Sequence, residues 1–248
     1  MTRTLLIDGD IVIYQYSSTV EKEVNWGDDV WSLWADAKEA KQLILQYIDI
    51  LMEKTAADKL VFCFTGKDNF RKGILDTYKS NRKDKRKPVC YKAIKEWIEE
   101  NYDTEEWHGL EADDVLGILA TSGDRFIEGE KVIVSEDKDL KTIPCKLWRS
   151  GELLNITKEE ADYNHLFQTL TGDTTDGYSG LRGVGTVKAK TILTVPIWKS
   201  VEDAFIKAGY TKEDALVQAR LARILRFEDY NFEYDMPIEW TPKYKIVY

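Results

Sequence analysis

Three carboxylates fall within four residues in Gly109-Leu110-Glu111-Ala112-Asp113-Asp114-Val115, and an apolar helical pattern follows at once. At 3.6 residues per turn, Glu111, Asp114, Val115 and Ile118 share one helix side, so these acids point with the core residues and not out to water. Like charges at that spacing repel by about 0.2–0.5 kcal/mol per pair even on an exposed helix. Acids are also welcome in a first turn because of the helix dipole, so this stretch alone defines no site. What defines one is the number of further acids placed to meet it: Asp8, Asp10, Asp68, Asp137, Asp139, Asp173 and Asp176. So many carboxylates without matching cations would repel one another or take up protons. Divalent metal is the natural counter-charge, and all-oxygen ligation with retained water suits Mg2+, with Mn2+ able to substitute. Two such ions about 4 Å apart can bind a phosphodiester between them, generate hydroxide and stabilise the departing 3′-oxygen.

The cations are gathered elsewhere. The chain carries a net charge of −9, yet Lys67–Lys95 holds eleven Lys or Arg against Asp68, Asp76 and Asp84. Such a block is either a solvated helix face or a phosphate-binding stripe. Within it, Phe70-Arg71 is followed by Tyr78-Lys79-Ser80-Asn81-Arg82-Lys83. Lys79 and Arg82, three residues apart, are expected on one helix face within reach of one phosphate, with Tyr78 able to stack on a base. A second feature is Gly180-Leu181-Arg182-Gly183-Val184-Gly185-Thr186-Val187-Lys188-Ala189-Lys190. A glycine hairpin feeding a helix presents backbone N–H groups to a phosphate, and Lys188 and Lys190 add charge. It matches neither the P-loop nor the dinucleotide-binding glycine pattern.

The elements that must position these groups follow from periodicity. Apolar runs at Arg3–Ile7, Lys59–Phe64 and Lys131–Ser135 read as buried strands, each followed by acids. A stripe from Val30 through Trp34, Ala37, Ile44, Tyr47 and Leu51 predicts one long helix with Trp34 in the core. Further helices are expected over 89–101, 111–121 and 157–170, the last opened by a Thr157/Glu160 capping box, and a hairpin turns at Ser150-Gly151. Strands alternating with helices imply an α/β unit with a mostly parallel central sheet, in which ligands bind beyond the carboxyl ends of the strands. Residues 1–156 would form this core and residues 157–248 a helical region. Three cysteines without a C-x-x-C pair, two histidines and no apolar run near the roughly 18 residues of a membrane span fit a cytoplasmic protein without a disulfide framework. A monomer is assumed.

Taken together, Leu5-Leu6-Ile7-Asp8-Gly9, Phe70-Arg71 with Tyr78-Lys79-x-Asn81-Arg82, Gly109-x-Glu111-Ala112-Asp113-Asp114, Ser135-x-Asp137-x-Asp139 and Gly172-Asp173-x-x-Asp176 with Gly183-Val184-Gly185 resemble, in order and spacing, the flap endonuclease (5′ nuclease) superfamily. Residues 222–232 are similar to its compact phage-encoded 5′→3′ exonucleases. The resemblance implies a PIN-like 5′ nuclease core, a helical arch at 67–95 and a C-terminal helix–hairpin–helix. It implies a hydrolase of phage DNA replication or degradation, acting on double-stranded DNA with 5′ ends or flaps and on RNA–DNA hybrids, and leaving 5′-phosphorylated products. Asp8, Glu111, Asp113, Asp114 and Asp137 match the family's first metal group, and Asp139, Asp173 and Asp176 the second. Lys79 and Arg82 match the basic pair on the scissile phosphate. Arg71, Tyr78 and Lys83 in the arch, and Gly183, Gly185, Thr186, Lys188 and Lys190 in the hairpin, would contact DNA, the hairpin also holding K+. The chain departs from the pattern after its second strand, where Phe64-Thr65-Gly66 stands in place of an aspartate, leaving Asp68 out of register and Asp10 without a counterpart. Two rivals remain at this stage, a PIN-like ribonuclease and a non-catalytic DNA-binding module of the same fold.

Overall fold

The computed structural model describes residues 2–82 and 85–242. β1 (Arg3–Asp8) is sealed, with Leu5, Leu6 and Ile7 wholly buried, and runs directly into α1 (Gly9–Thr19). A two-stranded ribbon follows, β2 (Glu21–Asn25) and β3 (Trp31–Ala35), then α2 (Ala37–Thr55) and β4 (Lys59–Thr65). The short α3 (Arg71–Ile74) precedes α4 (Tyr91–Asn101), β5 (Asp103–Trp107), α5 (Ala112–Thr121) and β6 (Glu130–Val134). β7 (Lys146–Arg149) and β8 (Glu152–Asn155) form the expected hairpin at the sheet edge.

The main sheet has the order β5-β4-β1-β6-β7-β8, parallel except for β8. From β1 the chain moves outward through β4 to β5, then returns to the other side of β1 with β6. The reversal leaves a crevice beyond the carboxyl ends of β1 and β6, the usual ligand position in such sheets. α1, α2 and α4 cover one face through Ile13, Ile44, Ile48 and Ile94. α5 and residues 224–230 cover the other through Val115, Leu116, Leu119 and Leu225. α6 (Lys158–Thr171), α7 (Thr186–Ile192), α8 (Trp198–Lys207) and α9 (Lys212–Ala222) share a further apolar cluster around Leu170, Val201 and Phe205. The short strands β9 (Tyr230–Asn231) and β10 (Met236–Pro237) complete the described chain. No helix among the described residues is long and apolar enough to cross a membrane.

Three sequence expectations change. The stripe beginning at Val30 is not all helix: α2 starts at Ala37, capped by Asp36, which accepts from Lys38 N at 2.8 Å. Residues 31–35 pair with β2 instead, leaving Trp34 half exposed. β5 was not anticipated, because Asp103-Thr104-Glu105-Glu106-Trp107 is too acidic to read as a strand, and it sits at the sheet edge where such residues reach water. The segment expected as a helical arch holds only α3 and a single 3-10 turn, Ser80–Arg82, among its described residues before α4. It is poor in aliphatic residues, so a longer helix there would lack the packed apolar face that stabilises helices in proteins.

Candidate active site

A cleft of about 940 Å³ opens at the crevice and is lined by Asp8, Glu111, Asp113, Asp137, Asp139, Asp173 and Asp176 and by Lys79 and Arg82. Each acid is placed by a short local device. Asp8 ends β1 and caps α1, accepting from Ile11 N at 3.2 Å and from the Ser135 hydroxyl at 2.9 Å. Ser135 Oγ in turn accepts from Asp137 N at 3.1 Å, and Asp137 Oδ1 accepts from Asp139 N at 2.8 Å. The turn after β6 is thereby latched to the end of β1. Asp173 and Asp176 stand on a loop closed by reciprocal backbone hydrogen bonds between Asp173 and Tyr178, and Asp173 Oδ1 accepts from Thr175 N at 2.7 Å. Two glycines make that loop possible. Gly172 and Gly180 both have positive φ, and a Cβ on Gly180 would come within 2.3 Å of Gly172 N.

Asp8, Asp113, Asp137 and Asp139 form no ion pair among the described residues, and the charges of Lys79 near Asp113 and Lys138 near Asp139 do not outweigh their burial. Burial, then the charges of Asp10 and Asp137, push the Asp8 carboxyl up to about 7 despite its two donors. Burial pushes Asp139 up to about 7 as well, with Asp137, Asp173 and Asp176 adding to it. Asp113 is held well above the usual carboxylate range by burial and by Asp8 and Asp137, and it has no hydrogen-bond partner among the described residues. Glu111 differs: against its burial, Lys79 and Arg71 hold it below its ordinary value. Lys79 Nζ bonds Glu111 and lies 3.5 Å from Asp176 Oδ2, while Arg82 pairs with Asp176 at 2.6 Å.

This donor set fits divalent cations. Hard oxygen ligands crowd one another, and Asp113 has no hydrogen-bond donor among the described residues. Among the described residues no three His, Cys, Asp or Glu side chains are already gathered closely enough to hold a metal ion.

Several expected site residues have other roles. Asp114 is wholly buried, its oxygens taken by two Arg71 hydrogen bonds of 2.7 Å, by Leu225 N at 3.0 Å and by Glu111 N at 3.2 Å. It has no position left for a metal. Arg71, expected on DNA, is buried in that pair and also donates to Leu221 O and Arg223 O. Tyr78 cannot stack on a base, because it is 2% exposed and its hydroxyl, 3.0 Å from Glu111 Oε2 and 3.1 Å from Asp176 Oδ2, shares its one proton between the two carboxylates. Lys79 and Arg82 do face one site but not from one helix, since Lys79 has a left-handed φ of 52°. Asp10 accepts from Thr65 N and Tyr91 Oη, so both its oxygens tie α1 to β4 and α4. Asp68 is exposed and outside the cleft lining. Lys83 lies outside the described residues.

Gly183, Gly185, Thr186, Lys188 and Lys190 are exposed on the turn into α7, where Lys188 Nζ donates to Gly183 O at 2.8 Å. Cleft residues that no sequence motif singles out include Tyr14 and Gln15 on α1, Gln168 on α6 and Tyr178. Gln168 and Tyr178 flank the Gly172–Asp176 motif, and that proximity was the available signal.

A family model described as the N-terminal resolvase-like domain of 5′-3′ exonucleases matches residues 3–165. The chain belongs to the 5′→3′ exonuclease family, hydrolases that include the phage flap nucleases. It is 35% identical to an exodeoxyribonuclease of Enterobacteria phage T3, over 96% of this chain and 93% of that protein. It is 34% identical to an exonuclease of Escherichia phage T7, with the same shares covered. A bacteriophage T5 flap endonuclease, solved with DNA and metal ions, shares the fold at a TM-score of 0.63 and 15% identity, over 89% of this chain and 88% of that one.

Proposed function

We propose that this chain is a Mg2+-dependent 5′→3′ exonuclease and flap endonuclease that hydrolyses duplex DNA to 5′-phosphorylated products. The observation that carries the proposal is one cleft that holds Asp8, Asp113, Asp137, Asp139 and Asp173 without an ion pair among the described residues, together with Lys79 and Arg82 on Glu111 and Asp176. Asp8, Asp113 and Asp137, with Glu111, would hold one ion, and Asp139, Asp173 and Asp176 a second. Bound there, the ions would supply Lewis-acid activation of the phosphodiester and of water. The residues of the chain do the rest. Ser135 fixes the Asp8 carboxylate, and the Arg71–Asp114 pair fixes the start of α5 and with it Glu111 and Asp113. Lys79 and Arg82 now neutralise Glu111 and Asp176. With ions held at those acids, Lys79 and Arg82 would be available to grip the scissile phosphate.

Residues 1–156 would carry the chemistry and 157–248 the grip on duplex backbone. Gly183, Gly185 and Thr186 would offer N–H groups to phosphate, with Lys188 and Lys190 beside them. The Lys188 ammonium on the Gly183 carbonyl supports cation affinity at that turn, and K+ would replace it. RNA in RNA–DNA hybrids is proposed as a further substrate, since the chemistry proposed for the cleft is directed at the phosphodiester, which DNA and RNA share. A monomer in the host cytoplasm completes the proposal, supported by phage relatives and three free cysteines. Release of nucleotides from 5′-labelled duplex DNA, an RNA–DNA hybrid and single-stranded RNA, each across a Mg2+ titration, tests it. Cleavage of single-stranded RNA alone would favour the PIN-like ribonuclease, and no cleavage with intact DNA binding would favour a silent module.

A further inference from the structure

Two side chains beside the second acid group have no task so far. Tyr178 is 4% exposed and sits directly opposite Asp173, with Asp173 N donating to Tyr178 O at 2.9 Å and Tyr178 N to Asp173 O at 3.1 Å. Tyr178 lines the cleft, and its hydroxyl, which is not sealed from solvent, has no hydrogen-bond partner among the described residues. The charges of Asp139, Asp176 and Asp173 all bear on that hydroxyl. Gln168 arrives from α6, one turn beyond Asn164, whose amide is pinned on Lys141 O at 3.0 Å. That face of α6 packs on the 3-10 turn Lys138–Thr142, so Gln168 is carried toward Asp139. Gln168 also lines the cleft, and its Oε1 is sealed from solvent without a partner.

Buried polar atoms are normally satisfied, and an orphaned acceptor costs about 1–3 kcal/mol. Leucine at 168 and phenylalanine at 178 would fill the same space without an unpaired oxygen. Gln168 Oε1 is such an orphan, and the Tyr178 hydroxyl, also without a partner among the described residues, belongs to the same cleft and feels the charges of the same three acids. A hard divalent cation retains several waters, each a strong donor needing an acceptor.

We infer that Tyr178 and Gln168 are positioning residues for the second divalent ion, accepting hydrogen bonds from the water it retains at Asp139, Asp173 and Asp176. This rests on the proposal that those three acids hold an ion. Loss of such outer partners typically lowers metal affinity about 10–100-fold.

The test is a Mn2+ titration of the intact protein without DNA, with free Mn2+ followed by its paramagnetic resonance signal. The parent should show two classes of site, and Asp173→Asn should remove one of them. Tyr178→Phe and Gln168→Leu should weaken that same class about 10-fold or more and leave the other unchanged. Gln168→Glu, which restores an acceptor, should recover it, whereas a role in packing alone would be served as well by leucine. If Asp173→Asn removes a class but Tyr178→Phe and Gln168→Leu titrate like the parent, the two residues only pack and the inference is wrong. If Asp173→Asn leaves both classes intact, the assignment of the second acid group fails, and this inference with it.

Discussion

Arg71 and Asp114 face each other through two hydrogen bonds of 2.7 Å, wholly buried where α3, α5 and residues 221–225 meet. The bidentate pair is also bonded to Leu221 O, Arg223 O and Leu225 N, so it welds the basic segment and the C-terminal crossing to the helix that carries Glu111 and Asp113. Removing one partner strands a buried charge, which costs about 3–5 kcal/mol. Arg71→Met and Asp114→Asn should therefore each lower stability by that order in urea unfolding. The double change Arg71→Met with Asp114→Leu should cost less than the two single changes added together. Asp113→Asn should melt at or above the parental temperature without metal, because it relieves repulsion among acids. Parental stability in Asp114→Asn, together with lost cleavage, would return Asp114 to the metal site.

Lys79 and Lys188 should fail in different ways. Lys79 sits between Glu111 and Asp176 inside the cleft, while Lys188 is exposed on α7. Removing a preorganised donor to transition-state charge costs about 10²–10³ in turnover, so Lys79→Ala should lower the single-turnover rate at saturating DNA. Lys188→Ala should weaken affinity and leave the chemical step alone. Measured in calcium, it should also flatten the plot of log affinity against log salt by about 0.9. The opposite pattern would reverse the roles given to the cleft and the hairpin.

The acids legible in the sequence were those at strand ends, because a buried apolar run closing in Asp needs no tertiary knowledge to place. Asp8, Asp137 and Asp139 reach the cleft for that reason, whereas Asp113 comes from the first turn of α5 and Asp173 and Asp176 from the glycine-bounded loop after α6. Asp114, Arg71 and Tyr78 were misassigned because charge and ring say nothing about burial, which here depends on a contact between residues 71 and 221–225 that no local pattern encodes. The ribbon of β2 and β3 was lost because Trp31, Leu33 and Trp34 can be fitted to a helical stripe as well as to a strand. Asp36, the cap that separates the two, offers only a weak boundary signal. β5 was lost for the opposite reason, an edge strand written in acids.

His165 sets a pH dependence of stability. It is buried, its Nε2 is 2.8 Å from Ala219 O, and its ring meets Trp240 edge-on, joining α6 to α9. Burial, then the charge of Arg223, pushes its pKa down to about 3, against about 6.5 when unfolded. Between those values the unfolded chain binds more protons, so the contribution of His165 is complete above about pH 6.5 and is lost as pH falls toward 3. In urea unfolding at pH 7 and pH 5, the parent should lose more stability on acidification than His165→Gln. Equal losses would mean that His165 is protonated in the fold.

Asp68 and Asp8 offer a simple contrast. Asp68 is exposed and outside the cleft lining, whereas Asp8 is buried at its floor. Asp68→Ala should keep near-parental cleavage across a magnesium titration, and Asp8→Ala should lose it. Equal losses would place the 65–70 loop in the metal shell.

The central claim is that uncompensated acids, above all Asp113, make cleavage depend on divalent metal. Single-turnover release of the 5′ nucleotide from duplex DNA, by parent and Asp113→Asn with and without chelator, tests it most directly, with DNA affinity measured in calcium alongside. The parent should release 5′-phosphorylated product in Mg2+ and stop on chelation, while Asp113→Asn should bind DNA at least as tightly and release product more than about 100-fold slower. Release that persists in chelator, or a parental rate in Asp113→Asn, would contradict the account.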